Sequence, residues 1–229
     1  HSLGLVERFC DEAIWLDAGR KKGEGDPKRV VAAYITKVEE GEETLLAATT
    51  ARAVEAAQPP AAAAGAEPVD PTSNMFQATE GRWGSREVEI TEVTLLDGEQ
   101  KPSFVFHSGQ PMSVRLKVHA RGSIDDFVFG FGLFNADGVC CYGTNTYLEE
   151  MNPDELRGDA DVTFHIDSLD LVEGTYKLDL AVHKRDGFPY DYHRLLYTFR
   201  VKSRTHDVGI HRPRHHWTFS EGVRFKAER

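Results

Sequence analysis

The residues of this 229-residue chain that could do chemistry gather in its second half. Phe127, Phe129, Phe131 and Leu133 alternate with Val128, Gly130 and Gly132. In a strand that alternation sends the phenylalanines to one face and the glycines to the other, where the backbone is left bare. Two glycines inside a strand weaken it, and a shallow trough where a ligand approaches the sheet is a use that would justify them. The alternative is that a neighbouring loop or the chain's own tail covers the trough. Around it, Tyr142, Asn145 and Tyr147 follow on the next strand. Asp179 and His183 lie on the outward phase of a later strand, and Tyr190 and Tyr192 flank Asp191 between the last two. Flat rings for the C–H face of a pyranose, with planar amide, carboxylate and imidazole groups for its hydroxyls, are the chemistry of carbohydrate recognition. The candidate carbohydrate-binding residues are therefore Gly130, Gly132, Tyr142, Asn145, Tyr147, Asp179, His183, Tyr190 and Tyr192. Tyr176 and Tyr197 fall on the apolar phase and are expected in the core, as are Trp15 and Tyr34 near the amino end.

Other chemistries fit less well. His206, His211, His215 and His216 cluster near the carboxyl end, but their spacing matches no zinc pattern, and Arg212 and Arg214 would repel a cation, so no metal is expected. Asp125-Asp126 and Asp167 with Asp170 sit where turns are expected and aspartate is ordinary turn chemistry, so no hydrolytic carboxylate pair is expected. Twenty-seven Lys and Arg against 37 Asp and Glu leave a net charge of −10, the wrong sign for a nucleic-acid partner. The three cysteines make no disulfide framework, since Cys140 and Cys141 are adjacent and Cys10 is remote. They read as small buried hydrophobes in a reducing compartment. No apolar run approaches the roughly 18–20 residues of a spanning helix, and the first residues are not expected to be a signal peptide, having no charged-then-apolar pattern.

The elements that must position these residues change character along the chain. Residues 1–40 read as a small α/β piece: Leu3, Val6 and Phe9 at helical spacing, Ala13 to Leu16 as a short buried strand, a turn at Asp17-Ala18-Gly19, a return strand, and a helix opened by Asp26-Pro27. Its core is too small to stand alone. Residues 41–80 read as a linker, helical at first and then broken by Pro59, Pro60, Pro68 and Pro71 into a disordered stretch. Residues 81–204 have a period of two, with turn signals at Asn135-Ala136-Asp137-Gly138 and Arg185-Asp186-Gly187 and a phase slip between Ile90 and Val93 that indicates a bulge. About eight short strands of this kind predict a mainly β fold, an antiparallel sandwich of immunoglobulin-like or jelly-roll type. Residues 205–229 form a tail in which Val208, Ile210 and Trp217 could add a strand to a sheet edge, on the same chain or, exchanged, on a second copy.

Ordered along the chain, certain motifs resemble one family. His1-Ser2-Leu3, Cys10 to Gly19 and Gly23-Glu24-Gly25-Asp26-Pro27 resemble the end of an ABC-transporter ATPase domain. Phe129-Gly130-Phe131-Gly132, Gly143-Thr144-Asn145-Thr146, Glu173-Gly174-Thr175-Tyr176 and Asp207-Val208-Gly209-Ile210 are similar to the carbohydrate-binding domain at the carboxyl end of the Wzt family, the ATP-binding subunits that export O-antigen and related polysaccharides. The resemblance implies that His1 stands at the switch-histidine position, a catalytic role only in an intact ATPase. It also implies ATP and magnesium as cofactors of the complete parent, and as partners a polysaccharide, a membrane permease and a second copy of the chain. The implied location is cytoplasmic, peripheral to the inner membrane through the permease. No G-x-x-x-x-G-K-[ST] occurs here, so these residues are expected to hold no cofactor and to be no enzyme by themselves. The expected function is recognition of a cell-surface polysaccharide for export. The alternative is a protein-interaction sandwich that docks the ATPase dimer or a biosynthetic enzyme without touching sugar.

Overall fold

A computed structural model describes residues 3–58 and 80–225 of the chain. His1 and residues 59–79, the second half of the expected linker, lie outside the described residues.

The chain opens with α1 (Leu3–Phe9), a hairpin of β1 (Ala13–Asp17) and β2 (Arg20–Gly25), and a long helix α2 (Pro27–Ala56). Asp26 caps α2: its carboxylate accepts the Arg29 N–H at 3.1 Å, while Pro27 takes a first-turn position whose N–H would be unpaired anyway. Only one face of a two-stranded hairpin can meet that helix. Ala13 and Trp15 lie on the more protected phase, whereas Ile14 and Leu16, expected inside, are 63% and 66% exposed. Trp15 meets Tyr34 edge-on at 5.7 Å, and both rings stay partly exposed rather than forming core.

Helix α2 runs unbroken well past residue 40, and its second half lies on the sandwich. Thr50 is buried and accepts the Thr198 N–H, and Ala53, Val54 and Ala57 pack against the main core. Glu43 reaches the backbone of the sandwich, accepting the Phe104 N–H at 2.7 and 2.8 Å with its two oxygens and the Val105 N–H at 2.9 Å. The first part of the expected linker is thus a docked helix. Its hydroxyl and carboxylate groups find backbone partners that no pattern in its own sequence announces.

Nine strands follow: β3 (Gly81–Trp83), β4 (Val88–Leu96), β5 (Val105–His107), β6 (Met112–Ile124), β7 (Val128–Asn135), β8 (Cys140–Asn145), β9 (Leu156–Ile166), β10 (Gly174–His183) and β11 (Pro189–Lys202). One sheet has the order β3-β11-β10-β7-β8 with β5 beside β11, and the other has the order β4-β6-β9. The fold is the mainly β antiparallel sandwich that the alternation indicates, with one exception: β5 pairs β11 in parallel. Between the sheets, Val88, Val114, Leu178, Val182, Phe199 and Val201 are fully enclosed. Their strand neighbours Arg115, Lys117 and His119 face water, as a period of two requires. The expected bulge lies between Ile90 and Glu92 and leaves Thr91 without a ladder partner.

The cysteines do not behave as buried hydrophobes. Cys10 and Cys140 are exposed, Cys141 is half-buried, and all three are free, because Cys10 follows the end of α1 and the other two lie on β8 at the sheet's edge.

Candidate functional site

Register brings the small residues together on the outer face of the larger sheet. Gly130 of β7 pairs with Ala181 of β10 on one side and Asn145 of β8 on the other, and Gly132 pairs with Asp179 and Gly143. Ala181 in turn faces Tyr192 of β11, whose other neighbour is Trp83 of β3. Glycine, alanine and glycine side by side leave a hollow of about 240 Å³, a little below the range of about 300–1,000 Å³ typical of drug-sized ligand sites. Its floor is not uniform. A methyl group added at Gly130 would meet only Ala181 Cβ at 3.6 Å and His183 Nε2 at 3.7 Å, ordinary contacts. One added at Gly132 would press on the Phe134 ring at 3.1 Å and Asp179 Cβ at 3.2 Å. The Phe134 ring leans over one end, and the Gly130 end is open. No described residue of the tail lines it: the segment around His211 pairs with residues around Leu171 instead.

The polar groups around the hollow differ in what they have left to offer. Asp179 is buried, and both its oxygens are taken, by the Leu195 N–H at 2.8 Å and the Tyr192 hydroxyl at 3.1 Å. Burial pushes its pKa up, while those two bonds pull it down. Burial, helped by the adjacent Asp179 carboxylate, pushes the Tyr192 hydroxyl up, so Tyr192 stays a neutral donor. Its ring stacks on Trp83 at 4.8 Å and 9°, forming a flat wall. Asp179 thus positions the Tyr192 ring. His183 Nδ1 lies 2.6 Å from the Lys184 carbonyl oxygen. A carbonyl can only accept, so Nδ1 carries the hydrogen and, in the neutral ring, Nε2 presents a lone pair beside Gly130. Asn145 spends its side-chain oxygen on the Leu148 N–H at 2.7 Å and keeps its amide hydrogens.

Of the nine candidates, Gly130, Gly132, Asn145, Asp179, His183 and Tyr192 converge on this hollow. Tyr142 does not. It pairs with Leu133 and shares that residue's inward parity, which puts it over the open edge between the two sheets near Phe164 and Ile210. Tyr147 stands exposed in the turn after β8, away from the lining. Tyr190 is core, 2% exposed, with its hydroxyl donating to the Asp126 carbonyl at 3.0 Å. Tyr190 and Tyr192 share strand parity, so on a regular ladder they would share a face. Here Val182 pairs with Asp191 and His183 with Pro189, which leaves Tyr190 in a bulge and inverts its side. Sequence reasoning missed Phe134, Gly143 and Trp83. Gly143 carries the same signal as Gly130, an interior strand glycine, but its place in the trough needs the register. Nothing near Trp83 in sequence points to Tyr192.

On the opposite face of the same strands, Asp191 and His193 join a sealed ionic cluster. Asp191 is fully buried and accepts Arg82 Nε at 2.9 Å, Arg82 Nη2 at 2.6 Å and the Ile90 N–H at 2.8 Å, with Arg86 Nη1 at 2.8 Å. Burial alone would raise its pKa, but the bonds from His193 and Arg82 hold it at about 2. Burial drives the His193 pKa below its ordinary value, against the pull of Asp191. Its Nδ1 meets the Tyr197 hydroxyl at 2.6 Å.

Among the described residues, no group of three or more His, Cys, Asp or Glu is placed to hold a metal ion, and no helix is long and apolar enough to cross a membrane.

Comparison with known proteins places this geometry. Residues 79–213 match the family described as the Wzt C-terminal domain. Over 227 residues the chain is 28% identical to the O-antigen export system ATP-binding protein RfbB of Myxococcus xanthus, covering 99% of this chain and 48% of that protein. The chain therefore spans about half the length of the curated relative it matches. The crystal structure of the C-terminal domain of Wzt shares the fold, with a TM-score of 0.56 and 20% identity over 67% of this chain and 98% of that one. With more than half its length matched, the chain belongs to the Wzt C-terminal domain family.

Proposed function

We propose that this chain recognises a cell-surface polysaccharide for export, as the carboxyl-terminal part of the ATP-binding subunit of an ABC transporter. The observation that carries the proposal is the open Gly130 end of the trough, walled by Tyr192 on Trp83, with the Asn145 amide and His183 Nε2 free to bond hydroxyls. Likeness to an O-antigen export protein over nearly the whole chain supports the setting: a glycan as cargo, a membrane permease as partner, and a station on the cytoplasmic side of the inner membrane. ATP and magnesium belong to the complete subunit. No step of their chemistry is assigned to these residues, which lack the phosphate-cradling motif. A homodimer fits the tail, where Trp217 is 79% exposed and stacks with an exposed Phe219 that meets Phe225. Two modules on one dimer would raise the avidity of weak single contacts.

Titration of the chain with the surface polysaccharide of its source organism tests the reading. Wild type should bind, Gly130→Leu should bind at least tenfold more weakly because its side chain fills the trough, and Tyr142→Ala should be unchanged. Equal binding by Gly130→Leu would remove the trough as the site.

A further inference from the structure

We infer that the trough selects an uncharged sugar ring presenting a pair of hydroxyls, and rejects rings that carry a carboxylate, phosphate or sulfate. This rests on the trough being the glycan site and adds the class of ring it takes. Among the described residues, no lysine or arginine lines the hollow. Sites built for carboxylate or phosphate use the bidentate fork of arginine or the point charge of lysine, and neither reaches into this hollow. Lys177 is paired with Glu80, and Arg194, whose charge is felt by Asp179 and Tyr192, stands outside the lining. The acidic side chain that does line the hollow is Asp179, whose two oxygens accept from Leu195 and Tyr192 and so offer nothing to a ligand.

The two free polar groups complete the selection. In the neutral ring His183 Nε2 accepts and needs a donor, while the Asn145 amide donates and needs an acceptor. A hydroxyl does both, so two hydroxyls of one ring can satisfy the pair. An anionic group in place of one of those hydroxyls could accept from Asn145 but has no hydrogen for His183, and it would bring its charge against a lone pair. Between them, the Gly130 and Ala181 floor meets the C–H face of the ring without polar demand. The chain's net charge of −10 opposes an anionic approach at longer range.

The experiment is a nuclear magnetic resonance titration of the ¹⁵N-labelled chain with methyl glucoside, methyl galactoside and methyl mannoside, and with glucuronate, galacturonate and glucose 6-phosphate at matched ionic strength. The backbone amides of Gly130, Gly132 and Gly143 and the Asn145 side-chain amide report on the trough. At least one neutral glycoside should move them, with each anionic ring at least about tenfold weaker than its neutral counterpart. His183→Arg, which replaces the lone pair with a fixed cation, should narrow or reverse that ratio. An anionic ring that binds the trough as tightly as its neutral counterpart overturns the inference and leaves the glycan site standing. Trough signals that stay still with every ring, and with the intact polysaccharide, overturn the glycan reading itself.

Discussion

Strands β10 and β11 carry two polar constellations on opposite faces, built from the same residue types and put to opposite ends. Facing outward are Asp179, His183 and Tyr192; facing inward are Asp191, His193 and Tyr197. The inward set is closed. Asp191 is ringed by two guanidiniums and a backbone N–H, and His193 lies sealed between it and Tyr197. The outward set is only partly closed, since Asp179 is used up in holding Tyr192 while His183 keeps one ring nitrogen for something else. The comparison teaches that residue type does not separate a site from a strut. What separates them is whether a lone pair or hydrogen left over once the protein's own groups have been served stands open to a ligand, as at His183, or is buried out of reach, as at His193.

The sharpest way to break the comparison is to remove the inward carboxylate. Asp191→Ala leaves Arg82 and Arg86 without their buried counter-charge and should cost roughly 3–5 kcal/mol in urea unfolding. Asp179→Asn, which keeps one acceptor oxygen but turns an amide NH2 against the other donor on the outward face, should cost only about 1–3 kcal/mol. Similar losses for the two would show that the faces do not differ as described.

Acid supplies a second test of intermediate size. Because burial lowers the pKa of folded His193, the unfolded chain takes up that proton first. The contribution is intact above the ordinary histidine value of 6.5 and declines as the pH falls toward the lower folded value, by at most about 1.4 kcal/mol per pH unit. Asp191 has the depressed carboxylate pattern: its contribution is present above the ordinary 3.8 and is lost as the pH falls through about 2. Urea midpoints measured from pH 8 to pH 5 should therefore drop in wild type and flatten in His193→Gln. An unchanged slope in the variant would mean that His193 is not the group that titrates.

The smallest expected effect sharpens the outward face. Gly130→Ala adds a methyl group in ordinary contact and relieves an interior strand glycine, so it should stabilise the fold by up to about 0.5–1 kcal/mol while weakening glycan binding. A variant both more stable and fully able to bind would show that the bare floor at Gly130 serves no ligand.

Much of the architecture could be read directly from the chain. Alternation at Val114, Leu116 and Val118 predicted β6, the phase slip after Ile90 predicted the bulge in β4, and Asp26-Pro27 predicted the start of α2. These are local signals, set by side-chain parity and by the first turn of a helix. The outward glycines were equally readable, because Gly130 and Gly132 share parity within one strand. Tyr190, Tyr142 and the docking of α2 were not, for related reasons. A single bulged residue at Tyr190 reverses a face, an edge strand can keep inward parity yet look out of the gap between sheets as Tyr142 does, and Glu43 acquires its purpose only from backbone amides 61 and 62 residues away.

The amino-acid order by itself determined the strands, their inward faces and the two bare positions on β7, because these follow from a repeat of two and from the absence of a Cβ. Only the tertiary structure decided that Ala181 and Gly143 would extend that bareness into a hollow, that Tyr192 would lie flat on Trp83, and that Asp191 and His193 would be sealed away from it. Those outcomes depend on pairing register between residues far apart in the chain, and a shift of one residue in that register exchanges the faces of every side chain it carries.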